Sequence, residues 1–225
     1  MSPLKKILIT AGPTREMLDP VRFLSNLSTG RMGYVFAETA RAENYQVTLI
    51  SGPTALQPPR GVRFISVTSA RDMELACRKF FPKHDALIMT AAVCDFTART
   101  KHPHKIHRTN TKRLMLKQTP DIVARLAKRK GRRVIIGFCL ETRDWLPNAA
   151  RKLKSKNLDG IVANYYRQGH IPFGNRNINT AFLDPKGVIR MLRRSSKKQI
   201  AVRLLAWMKT LASRPRSFPK AERKG

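Results

Sequence analysis

The chain has 225 residues, of which 42% are hydrophobic; that is enough for one α/β domain with a sizeable core and excludes wholesale disorder. Forty-five Lys and Arg against fourteen Asp and Glu give a formal charge of +31, so the chain will attract polyanions. No window reaches the ~20 apolar residues of a membrane span, and the N-terminus has no signal-peptide h-region. The three cysteines lack C-x-x-C spacing, which argues against a zinc site or a disulfide framework. The expectation is a cytoplasmic, non-membrane protein.

Lys6–Ala11 (KILITA) is a β-branched run ending at Gly12-Pro13 and reads as a buried parallel strand. A loop follows through Asn26 and Gly30, after which Gly33–Glu43 spaces its apolar residues as a helix does. Val47–Ser51 is a second strand, closed by Gly52-Pro53, and Val62–Val67 alternates as a third. Ser69 is the expected cap of a helix running to Phe81. Asp85–Val93 is a fourth strand, apolar through its middle. Phe96–Arg113 has neither periodicity, carries His102, His104 and His107 among cations, and reads as a lid or binding loop.

Asp121–Arg129 is a short helix, with Thr119 expected as its N-cap and Pro120 at the first helical position. Arg133–Leu140 is a fifth strand, Trp145–Lys156 a helix and Gly160–Ala163 a sixth strand. Thr180–Asp184 and Val188–Leu192 form a hairpin about Pro185-Lys186-Gly187, and Ser195 or Ser196 caps a last helix to about Leu211. Strands alternating with helices imply an α/β, Rossmann-like, doubly wound and mostly parallel sheet with a C-terminal β-hairpin and helix. The domain is expected over residues 1–212, with 213–225 a basic, disordered tail. Such sheets bind ligands beyond the carboxyl ends of their strands.

Five segments could carry chemistry. Gly30 and Gly33 sit at a helix start behind Ser28 and Thr29, where backbone can approach an anion; a plain capped helix start is the alternative. Asn26 adds an amide able to orient a carboxylate or carbonyl. Asp95 follows the fourth strand, where a carboxylate suits a ribose hydroxyl or simply caps a turn. His104-Lys105-Ile106-His107-Arg108 is a cationic loop able to close over phosphates; its histidines, without carboxylates, make a poor metal site. Phe138 ends the fifth strand and could pack on a base or in the core. Lys152 and Lys156 share a helix face, where two cations repel unless an anion lies between them.

The charge is local: residues 99–133 and 186–225 each carry thirteen cations and one acid, against seven and four in residues 1–60. That pattern fits phosphate-rich ligands, nonspecific nucleic-acid binding or a plain surface bias.

The order of these words resembles one family. ITAGPTREMLDPVRFLSNLSTGRMG, LISGP, TAAVCDF, HKIHR, TPDIVARLA, GFCLET, ARKLKSKNLDGIVAN and FGNRNINTAFL are similar to the synthetase part of the bacterial phosphopantothenoylcysteine decarboxylase/synthetase flavoproteins. The resemblance implies a ligase of coenzyme A biosynthesis. It would join 4'-phosphopantothenate to L-cysteine through an acyl-cytidylate made from CTP with Mg²⁺, releasing pyrophosphate and CMP.

By that resemblance Asn26 and Lys105 are catalytic, and Arg22, Ser28, Gly30 and Ala91 border the acyl substrate. Asp95, Lys105, Pro120, Asp121, Ile122, Val123, Phe138, Lys152 and Lys156 would bind the nucleotide. No protein metal site is expected. A homodimer without flavin is implied, with the decarboxylase on a separate chain. Three words depart from the family: His107-Arg108 stand where two lysines are usual, Thr29 where serine is common, and Cys94 and Phe96 where alanine and tyrosine are typical. The competing readings are a nucleic-acid-binding module without catalysis, with nonspecific polyanion binding, and a nucleotide-dependent oxidoreductase. The latter is disfavoured by the missing G-x-G-x-x-G after the first strand.

Overall fold

The computed structural model describes residues 4–108, 113–167 and 172–213. Its centre is an eight-stranded sheet. The elements run in chain order as β1 (Lys6–Ala11), β2 (Arg15–Met17), β3 (Phe23–Ser25), α1 (Arg31–Ala42), β4 (Gln46–Ser51), β5 (Arg63–Ser66) and α2 (Ala70–Phe80). After these come β6 (Ala86–Met89), β7 (Phe96–Ala98), β8 (Leu116–Gln118), α3 (Ile122–Ala127), β9 (Val134–Glu141) and α4 (Trp145–Ser155). The chain closes with β10 (Gly160–Tyr165), β11 (Ile178–Leu183), β12 (Ile189–Ser195) and α5 (Lys197–Ala212).

Across the sheet the order is β5-β4-β1-β6-β9-β10-β11-β12. The first six strands are parallel, and β11 and β12 run antiparallel as the terminal hairpin. Numbered along the chain, the parallel set reads 3-2-1-4-5-6, the Rossmann order, with its reversal between β1 and β6.

Both faces of the central strands are buried, so their sequences are mostly apolar, with small hydroxyl residues such as Thr10 and Thr48 among the buried positions. In β1, Ile7, Ile9 and Ala11 join the core under α1 and α5, while Leu8 joins the other core with Met73 of α2 and Leu126 of α3. Gly33 lets α1 lie against the sheet: a Cβ there would meet the Ala11 Cβ at 2.5 Å and the Thr90 Oγ1 at 2.6 Å. This glycine serves helix–strand packing rather than the anion approach expected of it. Gly30 caps α1 in the left-handed region, φ 78°, against Gly12 and Thr54.

Several expected boundaries move. The segment expected as loop before Asn26 folds into the β2–β3 hairpin. The fourth strand ends at Met89, not Val93, because the Thr90 hydroxyl and the Ala91 amide turn back onto Thr10. The long basic loop is clasped at its base by β7 pairing with β8; residues 109–112 lie outside the described residues. Asp121, not Thr119, caps α3, its carboxylate accepting from Ala124 N at 3.0 Å, so Pro120 stands before the helix. Ser196 rather than Ser195 caps α5 in a reciprocal pairing with Gln199. Of the expected tail, only Ser213 falls within the described residues, where it caps the end of α5. No described helix is long and apolar enough to cross a membrane.

Candidate active site

A cavity of about 860 Å³ opens beyond the carboxyl ends of β6 and β9, beside the strand-order reversal. Doubly wound sheets place ligands there because neighbouring strand ends send their chains to opposite faces and leave a crevice. Met89, Gly137, Leu158 and Ile161 line it from the sheet and from the turn before β10. One wall is the chain leaving β6, Ala91 to Phe96, and another is Gln118 to Val123 leading into α3. Lys152 and Lys156 face in from the α4 end, and Asn26 and Ser28 line the cavity from the segment after β3.

Eleven of the residues singled out in the sequence therefore border one volume: Asn26, Ser28, Ala91, Asp95, the run 120–123, Phe138, Lys152 and Lys156. Arg22, Gly30 and Lys105 do not line it. Gly30 is buried at the α1 cap, where its amide donates to Ser28 Oγ at 3.3 Å. Arg22 sits at the tip of the β2–β3 hairpin, paired with Asp19 at 3.6 Å and donating to the Ile106 carbonyl at 3.1 Å. The Ile106 amide donates to Asp19 at 3.1 Å. Exposed Lys105 is the residue before this tether. The loop carrying it thus docks on the hairpin tip, four residues from Asn26, a separation of about 13 Å along extended chain.

Asn26 is held at its own end of that hairpin. Its Nδ2 donates to the Ala92 carbonyl at 2.8 Å and lies 3.8 Å from Cys94 Sγ. The Thr14 amide donates to the same carbonyl at 3.2 Å, and the Cys94 amide donates to Thr14 Oγ1 at 2.9 Å. The loops following β1 and β6 are thereby stitched together beneath the Asn26 amide. Burial pushes the Cys94 thiol above its ordinary value, against a hydrogen bond with Thr14 that lowers it. The side chain is a neutral thiol that donates to the Thr14 carbonyl at 3.4 Å.

The two helix-face lysines each have a carboxylate partner. Lys152 pairs with Glu141 at 2.6 Å and Lys156 with Asp121 at 2.9 Å. This is how the fold accommodates two cations on one face of α4. Glu141, within the GFCLET word, does not line the cavity but holds Lys152, which does. It lies at the end of β9 and meets Lys152 eleven positions later, a separation carrying no local signal. Asn148 also donates to Glu141, at 3.3 Å. Cys139, which lines the cavity, is pushed up to about 11 by burial, with Lys152 opposing and Glu141 reinforcing the shift. Phe138 is part-buried, edge-on to Phe36 at 5.6 Å between ring centres, so it is both core and cavity wall. Tyr166 and Phe173 add aromatic lining that no sequence motif signals.

The geometry has relatives. A family model described as the DNA/pantothenate metabolism flavoprotein C-terminal domain matches residues 3–211. The chain belongs to this family. The coenzyme A biosynthesis bifunctional protein CoaBC of Bacillus subtilis is 44% identical over 204 residues, which are 89% of this chain and 50% of that protein. The protein of the same name from Borreliella burgdorferi is 37% identical over 205 residues, covering 89% and 51%. The chain thus spans about half the length of these curated relatives. A crystal structure of the C-terminal domain of CoaBC superposes with a TM-score of 0.78 at 36% identity, covering 92% of this chain and 95% of that one. The flavoprotein-family match therefore extends from sequence to fold.

Proposed function

We propose that this chain is the CTP-dependent phosphopantothenate–cysteine ligase of coenzyme A biosynthesis. The observation that carries the reading is one cavity bordered by Asn26, Asp95, Phe138, Lys152 and Lys156, in a family whose named relatives act in that pathway. In the first step a carboxylate oxygen of 4'-phosphopantothenate attacks the α-phosphorus of CTP. The bond to the bridging oxygen breaks and pyrophosphate leaves. In the second, the amine of L-cysteine attacks the acyl carbon, the C–O bond to phosphate breaks, CMP leaves and an amine proton is released.

Phosphoryl transfer of this kind asks the protein mainly for position and charge neutralisation. Lys152 and Lys156 supply the charge by exchanging Glu141 and Asp121 for phosphate oxygens. Asp95 takes the ribose, Phe138 and the 120–123 run flank the base, and Ser28 and Ala91 border the acyl group. Asn26, with Nδ2 anchored on Ala92, keeps its amide oxygen for the acyl-cytidylate and can turn its second N–H to it from the weak 3.8 Å contact with Cys94 Sγ. Lys105 acts on the nucleotide once its loop leaves the Asp19–Arg22 tether, and Arg22, freed from Ile106, then faces the acyl substrate.

Among the described residues no three His, Cys, Asp or Glu side chains cluster as a metal site. Mg²⁺ arriving with the nucleotide would supply charge neutralisation at the phosphates, beside Lys152 and Lys156.

The chain acts as a homodimer in this proposal. The two small hairpins lie side by side and expose Phe23, Phe96, Met115 and Leu116, an apolar surface of the kind monomers rarely leave uncovered. Light scattering that gives a monomer mass would remove the dimer.

The activity test is pyrophosphate release, expected only when CTP and phosphopantothenate are both present, followed by amide product on adding cysteine. Release with neither dependence, or none while both substrates bind, would sink the ligase. Melting temperature with CTP, ATP, UTP and GTP ranks nucleotide choice, since a ligand at a hundred times its Kd stabilises by about 2.7 kcal/mol.

A further inference from the structure

We propose that the concave surface at the amino-terminal ends of β1, β4 and β5 is a second binding site, for a small polyanion carrying at least two phosphate groups. It lies at the opposite end of the sheet from the cavity described above, because the parallel strands β1, β4 and β5 all begin there. The concavity measures about 490 Å³, within the ~300–1,000 Å³ typical of small-ligand sites.

Four cations on four separate elements converge on it: Lys6 at the start of β1, Arg41 at the end of α1, Arg63 at the start of β5, and Lys83 in the turn after α2. No acid among the described residues lines it. The nearby carboxylates are engaged elsewhere, Glu43 with Lys209 at 3.1 Å and Asp85 with the backbone amides of Lys5 and Lys6 at 2.8 Å each. None of the four cations has a carboxylate within ion-pair distance among the described residues.

The convergence is felt by a neighbouring imidazole. His84 sits below its ordinary value, first because it is buried and further because Lys6 and Arg63 both repel its protonated form, against the Phe80 carbonyl and Asp85, which favour it. Its ring is fixed by the Phe80 carbonyl at 2.7 Å and Thr48 Oγ1 at 2.9 Å. Arg63 is held too, stacked 4.8 Å over the Phe80 ring. Four like charges around one hollow, with His84 and Arg63 locked in place, make a preorganised anion site. One phosphate dianion would leave half of that charge unmatched. An oligophosphate matches it, and a hollow of this volume takes a few phosphates rather than a nucleic-acid helix.

The test is calorimetric titration of the full chain with tripolyphosphate at about 0.15 M salt, where surface screening is strong. Three variants separate the sources: Arg63→Gln/Lys83→Gln at this site, Lys152→Gln/Lys156→Gln at the other cavity, and Arg190→Gln/Arg193→Gln on β12 as an equal loss of charge elsewhere. Saturable binding should survive the second and third, and weaken by about tenfold for each charge-assisted hydrogen bond removed in the first. Lys83→Gln alone, which leaves the Arg63–Phe80 stack intact, should weaken binding by the single-bond factor at an unchanged melting temperature. Binding no tighter than to sulfate would overturn the site. So would a loss in Arg63→Gln/Lys83→Gln no larger than in the β12 control, or a loss confined to Lys152→Gln/Lys156→Gln. Ligase activity is measured independently and does not bear on these outcomes.

Discussion

The Asn26 Nδ2 donates to the carbonyl of Ala92, 66 positions along the chain, at 2.8 Å. That one bond joins the hairpin after β1 to the loop after β6 and fixes the face of the amide turned to the cavity. Asn26→Asp replaces the donor with a carboxylate oxygen facing a carbonyl oxygen, so the side chain must turn away. Pyrophosphate release should persist while amide product falls by about a hundredfold or more, the usual cost of one donor to a developing oxyanion. Equal loss of both would assign Asn26 to substrate binding instead.

The Asp19 carboxylate anchors the basic loop through Ile106. Burial would raise its pKa, but the amides of Ile106, Val21 and Arg22 and the Arg22 guanidinium outweigh burial and hold it below the ordinary 3.8. A folded value below the unfolded one means the tether is fully present above pH 3.8 and is lost as pH falls through the lowered value. Hydrogen exchange at the Ile106 amide, corrected for intrinsic rate, should stay flat from neutral pH down to that range. Asp19→Ala should speed it several-fold. Unchanged exchange in the variant would show that the loop is held by other contacts.

Gly33→Ala drives a methyl into Ala11 at the end of β1 and Thr90 just beyond β6. Neither is the far end of a flexible side chain, so α1 must shift. A loss of about 1–3 kcal/mol in denaturant unfolding is expected for such overpacking. The shift also moves Thr90, whose hydroxyl bonds the Thr10 carbonyl at the strand-order reversal. Stability unchanged to within experimental scatter would mean that the helix yields freely.

All three thiols are buried, and burial drives Cys139 up to about 11. With the folded value above the unfolded 9.0, this contribution to stability is present below pH 9 and is lost as pH rises through about 11. At pH 8 the thiolate fraction of Cys139 is about a hundredfold below that of an ordinary cysteine. Iodoacetamide should label it that much more slowly in native than in denatured protein, with the difference closing above pH 10. Rapid native labelling would mean an open or ionised Cys139.

The sequence by itself determined the sheet. Predominantly apolar, β-branched runs ending at Gly12-Pro13 and Gly52-Pro53, alternating with amphipathic helices, have few solutions besides a doubly wound parallel fold, because such strands must be covered on both faces. Asp95, beyond the end of β6, was legible for the same reason: chain ends of parallel strands face the crevice. Phe138 borders the same cavity from within β9, which runs on to Glu141 and so does not end at Phe138.

Only tertiary structure decided what those residues touch. β2 and β3 are three-residue strands, too short to show a period. Glu141 and Asp121 found their lysines across 11 and 35 positions, a relation set by how α4 packs beside β9 and not by spacing. The placement of Lys105 beside the hairpin tip rests on Asp19 and Arg22 holding Ile106, a contact between segments more than 80 positions apart. Local pattern reports which face of an element is apolar; pairing between distant polar groups depends on the closed fold, which no local period encodes.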